Sequence, residues 1–355
     1  MTTYRIALIP GDGIGKEVMP EGVRALEAAG RAAGVSFAWT PFDWSCETYA
    51  RTGRMAPEDF LDQLAGFDAL YLGAVGFPGV PDHVSLWGLL IPIRRHFDQW
   101  ANIRPCRTMP GLPSPLAEKP GRAIDFWVVR ENSEGEYSEV GGRMFTGTDR
   151  EAVVQQAVFS RFGCDRIIDY AFQLAERKGL GSVTSATKSN GLAISMPYWD
   201  ERFAAAAARY PSIRTEQYHV DILTANFVRF PERFEVVVGS NLFGDILSDL
   251  GPAICGSIGI APSANLNPEG VHPSMFEPVH GSAPDIAGRG IANPIGQIWS
   301  GAMMMEHLGH RDMHDRLLGA IEALLREGPR TPDMGGTAST QEVGRWIADA
   351  VGSPL

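Results

Sequence analysis

The sequence predicts an α/β protein with largely parallel sheets, and three observations carry that prediction. Short β-branched or aromatic runs of strand length recur along the chain. Each is followed closely by helical periodicity, and residues 294–351 hold three helical patterns with no obvious strand between them.

The first run, residues 4–9, is apolar enough for a strand buried on both faces, and 15–34 follows it as a helix. The glycine-rich turn between them, Ile9 to Gly15, is not a dinucleotide fingerprint, because GxGxxG requires glycine where Lys16 stands. Its spacing is that of a tight βα turn. Further strands are expected at 69–72, 124–129, 183–186 and 235–239, and further helices at 58–64, 92–102, 166–178, 192–209 and 242–254. The C-terminal patterns, 295–307, 312–326 and 340–351, read as helices flanking a sheet made earlier in the chain. Pro and Gly cluster at 104–121, 251–270 and 281–293, marking loops or crossovers. Residues 134–149 are polar, glycine-rich and too long for a tight turn, as in a disordered lid or a two-stranded arm reaching a partner.

Length and composition narrow the function. The 355 residues allow two ordinary domains or one large one, and 44% hydrophobic residues suffice for a real core. A net charge of −11, from 31 basic and 42 acidic side chains, repels nucleic acid and anionic membrane, so a small anion needs a local basic cluster. Cys46, Cys106, Cys164 and Cys255 form no CxxC pair, which argues for isolated thiols in a reducing cytoplasm over a zinc or redox motif. No leader pattern opens the chain and no apolar run approaches the ~18 residues of a membrane span. A soluble, cytoplasmic protein is expected.

Asp245 and Asp249 stand four apart on the helix after strand 235–239, so both carboxylates project from one face near a strand's C-terminal end. Two carboxylates about 4 Å apart repel by roughly 4 kcal/mol at an effective dielectric near 20, so a partly buried pair needs a cation or a shifted pKa. Hard oxygen ligands suit Mg²⁺ or Mn²⁺, and a solvated acidic face is the alternative. Asp221 sits where aspartate commonly caps a helix. Arg94, Arg104 and Arg130 are each ordinary alone, but beside metal-binding carboxylates they suit a di- or tricarboxylate, which guanidinium forks grip bidentately. Lys188 and Tyr137, in strand-end loops, would there be natural base and acid. The loop 276–285 offers His280 to stack on adenine, backbone N–H groups to a pyrophosphate and Asp285 to ribose hydroxyls.

These motifs together resemble the β-decarboxylating dehydrogenases of 2-hydroxy acids, the isocitrate and 3-isopropylmalate dehydrogenase family, over essentially the whole chain. The matches are IPGDGIGKE, Arg94 through Asn102 to Arg104-Pro105, Arg130-Glu131-Asn132 with Gly135 and Tyr137, Thr187-Lys188-Ser189-Asn190, Asn241 to Asp249, and FEPVHGSAPDIAG through Ile291-Ala292-Asn293-Pro294. Within the family SLWG at 85–88, SMPYWDER at 195–202 and SANLNPE at 263–269 are most similar to the branch acting on tartrate and D-malate. The resemblance implies an isopropylmalate-dehydrogenase-like two-domain fold. Its first domain, residues 1–98 and 256–355, would carry the nucleotide site, and its second, 99–255, the arm and the interface of a homodimer. It implies that Arg94, Arg104 and Arg130 bind substrate carboxylates and that Leu90 and Ile91 face the substituent on C3. Asp245 and Asp249 would hold Mg²⁺ or Mn²⁺ with Asp221 of the partner subunit. Lys188, also the partner's, would take the hydroxyl proton, and Tyr137 would protonate the enolate left by CO₂. NAD would lie against Asn190, His280, Gly281, Ser282, Ala283, Asp285 and Asn293, with a monovalent cation as a further candidate. Pro92 suits a first helical turn, which starts that helix near Leu90 or Ile91. The expected activity is oxidative decarboxylation of D-malate or tartrate. Alternatives are 3-isopropylmalate as substrate, a metal-dependent lyase without nicotinamide, and a silent nucleotide-binding protein.

Overall fold

The computed structural model describes residues 2–116 and 123–352. The end of the predicted 104–121 loop, from residue 117, lies outside them. The chain divides into two compact units, one drawn from Met1–Gln99, Arg107–Lys119 and Pro252–Leu355, the other from Trp100–Cys106 and Pro120–Gly251.

The first unit begins with β1 (Thr2–Gly11), α1 (Gly15–Ala33), β2 (Val35–Pro41), α2 (Cys46–Thr52), α3 (Phe60–Leu64) and β3 (Ala69–Ala74). β1 pairs in parallel with both β2 and β3. Ile6, Ala7 and Ile9 are fully buried, the consequence of a strand covered on both faces. Gly34, left-handed at φ 70°, ends α1 by returning its N–H to Gly30 O. Next come α4 (Asp82–Ser85), a π-helical turn (Leu86–Leu90) and α5 (Ile91–His96).

The second unit contains β4 (Ala101–Arg107), β5 (Asp125–Glu131), β6 (Gly141–Met144), β7 (Ala152–Gln155), α6 (Arg161–Lys178), β8 (Ser182–Thr187), α7 (Ser195–Ala207), β9 (Arg214–His219), α8 (Val220–Arg229), β10 (Val236–Gly239) and α9 (Asn241–Cys255). Its sheet runs β4-β5-β10-β8-β9, with β10 parallel to β5 and β8, and β8 parallel to β9. β6 and β7 make a separate antiparallel pair, so the 134–149 segment opens into a two-stranded arm. The first unit is completed by β11 (Pro262–Leu266), β12 (Ser274–Pro278), α10 (Ile295–His307), α11 (Arg311–Glu327) and α12 (Thr340–Gly352). Its strand order is β2-β1-β3-β12-β11, parallel except for β11 against β12.

Three expectations are corrected. The helix predicted at 92–102 stops at His96, because Asp98 turns the chain at φ 41° and Ala101 opens β4. Its helical backbone also starts well before Leu90, at Asp82. Pro92 has no N–H to give to Gly88, and the turn ahead of it is rewound so that Ile91 N–H reaches Leu86 O. Residues 262–266, expected within a loop, and 274–278, whose last three residues open the predicted 276–285 loop, are strands; Ala264, Met275 and Phe276 are buried there despite the surrounding Pro and Gly.

Candidate active site

In the second unit the first two turns of α9 set the site. Asn241, Asp245 and Asp249 recur at i, i+4 and i+8 on one helix face, while Phe243 and Leu247 point into the core. Glu136 holds the start of the helix by accepting from Ser240 Oγ at 2.8 Å and Leu242 N–H at 3.1 Å. That fixes the adjoining Tyr137, whose hydroxyl donates to Asp245 Oδ2 at 2.7 Å. Arg130, 2% exposed at the end of β5, donates through Nη1 to Asp245 Oδ1 and lies over the Tyr137 ring, 5.3 Å from its centroid. Arg104, from β4, donates through Nη1 to Asp249 Oδ1 at 2.7 Å, with Nη2 3.8 Å from Asp245 Oδ1. Its Nε is buried with no partner among the described residues. Two of the three predicted arginines, both predicted α9 carboxylates and the predicted tyrosine therefore form one cluster.

Lys188 and Asp221 form another. Lys188 Nζ donates to Asp221 Oδ1 at 2.6 Å. That bond, the Asp221 backbone N–H and the ammonium charge hold the exposed carboxyl below its ordinary range. Asp221 is not the helix cap expected from sequence: His219 occupies that position and Asp221 lies in the first turn, where the helix dipole favours it. Two hard oxygen donors at i and i+4 suit Mg²⁺ or Mn²⁺ as part of an octahedral set. Among the described residues no group of three or more His, Cys, Asp or Glu side chains is arranged to hold a metal, so Asp245 and Asp249 are not joined by Asp221 of their own chain.

In the first unit Arg94 is buried and donates to Glu277 Oε1 at 2.9 Å, an oxygen that also accepts from Asn265 Nδ2 at 2.7 Å. Arg94 Nε has no partner among the described residues. Leu90 is half-buried and Ile91 buried, while Leu89 is fully enclosed in a core with Ile93, Phe97 and Met275. The tight turn after β1 docks the loop predicted to meet a nucleotide: Ile14 N–H donates to Ser282 O at 2.9 Å, and Glu17 accepts from Gly288 and Gly290 N–H at 2.5 and 2.8 Å. Beside this loop is a cavity of about 710 Å³ lined by Ile14, Ile258, His280, Ala283, Asn293 and Asp333 among others. Burial lowers the His280 pKa, leaving a neutral ring, and its Nε2 is buried without a hydrogen-bond partner. An apolar cavity of this size with one orphaned imidazole nitrogen fits an adenosine moiety. Asp285 and Gly281 are exposed, Ser282 is buried, and Ala283 is held at φ 40°. Asn293 is engaged at both ends, accepting from Ile295 N–H and donating to Asp333 Oδ2, each at 3.0 Å. Asn190, in the second unit, lies exposed in a turn after β8.

Sequence reasoning assigned no role to Asn241, Glu136, Glu277, Asp333 or Asp12. The i, i+4, i+8 spacing of Asn241 with the two aspartates was a signal for the first. Asp12 had none: it is fully buried and accepts from Cys46, Glu47 and Gly76 N–H at 2.8, 3.1 and 3.1 Å.

The comparisons with known proteins agree with one another. The isocitrate/isopropylmalate dehydrogenase family model matches residues 5–347. The D-malate dehydrogenase (decarboxylating) of Escherichia coli (strain K12) is 60% identical over 358 residues, covering 99% of this chain and 98% of its own. The tartrate dehydrogenase/decarboxylase of Pseudomonas putida is 59% identical, with 98% of each chain covered. A crystal structure of isocitrate dehydrogenase from Methylococcus capsulatus superposes with a TM-score of 0.89 at 32% identity, over 99% of this chain and all of that one.

Proposed function

The chain belongs to the isocitrate/isopropylmalate dehydrogenase family, and on that premise we propose that it catalyses the NAD- and divalent-metal-dependent oxidative decarboxylation of D-malate, with tartrate as a poorer substrate. The observation that carries the reading is the cluster of Arg104, Arg130, Tyr137, Asp245 and Asp249. Two arginines and two aspartates cancel in charge, so a dicarboxylate is accommodated neutrally only together with a dication.

Arg104 and Arg130 grip one carboxylate of the substrate and Arg94 assists, its Nε and that of Arg104 supplying donors not used elsewhere among the described residues. Asp245 and Asp249 would hold the metal, which when bound polarises the C2 oxygen and its neighbouring carboxylate. NAD would supply the hydride acceptor for C2; its adenosine would occupy the cavity at His280, with Asp285 on the ribose hydroxyls. Lys188 would accept the C2 hydroxyl proton as the neutral amine, after its ammonium has released a proton to solvent, and the Asp221 carboxylate orients it. As the C3–C4 bond breaks and CO₂ leaves, Tyr137 passes its phenolic proton to C3, giving pyruvate from D-malate.

We also place Lys188 and Asp221 in the active site of a second subunit. Two features support a homodimer: among the described residues one chain gathers Asp245 and Asp249 without a third metal-ligating side chain, and apolar side chains stand exposed on the arm (Met144, Phe145, Val153, Val154), on α8 (Ile222, Val228) and at Ile246 of α9. A cytoplasmic setting accords with four buried cysteines and with the lack, among the described residues, of a helix long and apolar enough to cross a membrane.

The test is kcat/KM by nicotinamide absorbance for D-malate, meso-tartrate and 3-isopropylmalate, with NAD and Mn²⁺. Leu90 and Ile91 would offer no partner to a hydroxyl on C3, and an unpaired buried hydroxyl costs about 1–3 kcal/mol, so D-malate should lead tartrate by roughly 5- to 150-fold. Tartrate in the lead refutes the apolar wall. 3-Isopropylmalate in the lead refutes the choice of substrate.

A further inference from the structure

We infer that Asn241 is the positioning residue for Arg130, holding its guanidinium in one plane through a neutral amide so that its charge stays available to the substrate. The inference rests on the reading of Arg130 as a ligand of the substrate carboxylate. Asn241 opens α9 and is 3% exposed. Its Oδ1 accepts from Arg130 Nε at 3.0 Å and Nη2 at 2.7 Å, one oxygen bridging one side of the guanidinium. Its Nδ2 donates to Glu134 O at 3.0 Å, tying the same amide to the loop that carries Tyr137. The amide cannot be reversed, because arginine only donates and a backbone carbonyl only accepts. The other side of Arg130 is bounded by Asp245, and its stem packs on Gly244 of the same helix. Residues 241, 244 and 245 thus seat the arginine from one helical turn.

The choice of amide over carboxylate follows from charge. An aspartate at 241 would accept the same two N–H groups, but it would neutralise Arg130 and add a third negative charge to Asp245 and Asp249. A dicarboxylate would then meet a net negative site. The amide orients the fork without changing its charge.

The test is steady-state kinetics of the full-length protein with D-malate, NAD and Mn²⁺, for Asn241→Ala, Arg130→Lys and the double variant. A hydrogen bond to a charged group contributes about 1.5–3 kcal/mol, so Asn241→Ala should raise KM for D-malate about 10- to 150-fold. The KM for NAD should stay within about 2-fold, because a loss of folded protein would lower kcat without moving either KM. The double variant should have the KM of Arg130→Lys alone, since residues that act as a unit are not additive. Should Asn241→Ala fold poorly, Asn241→Ser keeps a good helix-starting residue and is too short to bridge both N–H groups, so the same rise is expected. A KM for D-malate unchanged in Asn241→Ala or Asn241→Ser, or effects that multiply in the double variant, overturns the inference alone. An unchanged KM in Arg130→Lys overturns the reading of the site, and this inference with it.

Discussion

Gly244 and Arg130 approach so closely that a methyl group has no place between them: a Cβ on Gly244 would lie 2.6 Å from Arg130 Cβ and 2.9 Å from its Cα. Both contacts involve atoms held by β5, so the neighbour cannot swing away. Gly244→Ala should therefore cost about 1–3 kcal/mol by overpacking and displace the guanidinium. Urea melts should show the loss of stability, and KM for D-malate should rise in the fraction that folds. An alanine variant as stable and as tight as the parent contradicts the contact.

The same pair shows what sequence could and could not reveal. Asp245 and Asp249 were legible because an i,i+4 carboxylate pair on an apolar helix is a local pattern. The cost of a side chain at 244 was not, because it depends on β5, more than a hundred residues earlier in the chain. Likewise the helix 15–34 was legible from periodicity, whereas β11 and β12 were hidden by Pro and Gly that serve their ends, and the length of the 92–102 helix was misjudged because one left-handed residue, Asp98, ends it. The strand 235–239 was plain because Val236, Val237 and Val238 make a continuous apolar run, as strands covered on both faces do. The Lys188–Asp221 pair was beyond local reading: Asp221 read as a helix cap and Lys188 as a strand-end loop residue, and 33 positions separate them.

Glu131 predicts a pH dependence of stability. It is buried beside Arg130, accepts from Ser133 and Glu134 N–H at 2.9 and 2.8 Å and from Ser133 Oγ, and burial pushes its pKa from 4.5 to about 7. A carboxyl whose folded pKa is raised binds its proton more tightly in the native state, so its contribution is full below pH 4.5 and is lost as pH rises through 7. The loss is about 3 kcal/mol at most. Glu131→Gln should remove that part of the difference between denaturant melts at pH 5 and pH 8. An unaltered difference would show that the carboxyl stays ionised throughout.

Asp285 predicts cofactor choice. It would accept from the adenosine ribose hydroxyls and repel a 2′-phosphate, and residues 280–287 include no lysine or arginine to offset the repulsion. NAD should exceed NADP in kcat/KM, and Asp285→Lys should narrow the gap. Equal values for the two cofactors in the parent would rule this out.

Subunit exchange tests whether Lys188 and Asp221 serve a neighbouring site. Lys188→Ala and Asp245→Asn should each be inactive alone. Mixed and allowed to exchange, they should regain activity, because one of the two sites in a mixed dimer then has both groups intact. Confirmed exchange without recovered activity would place Lys188 in its own chain's site, or deny the dimer.

The π-helical turn at Leu86–Leu90 carries one more residue than an α-turn would, and Arg94 lies just beyond it. Because the turn takes up that surplus residue within itself, the residues on either side keep the phase of one continuous α-helix. Removing Gly88 would close the turn to α geometry and leave Arg94 facing Glu277, whereas removing a residue from the α-helical turn after it would rotate the end of the helix by about 100°. The surplus residue thus widens the helix without turning it, and the azimuth of Arg94 is indifferent to its presence.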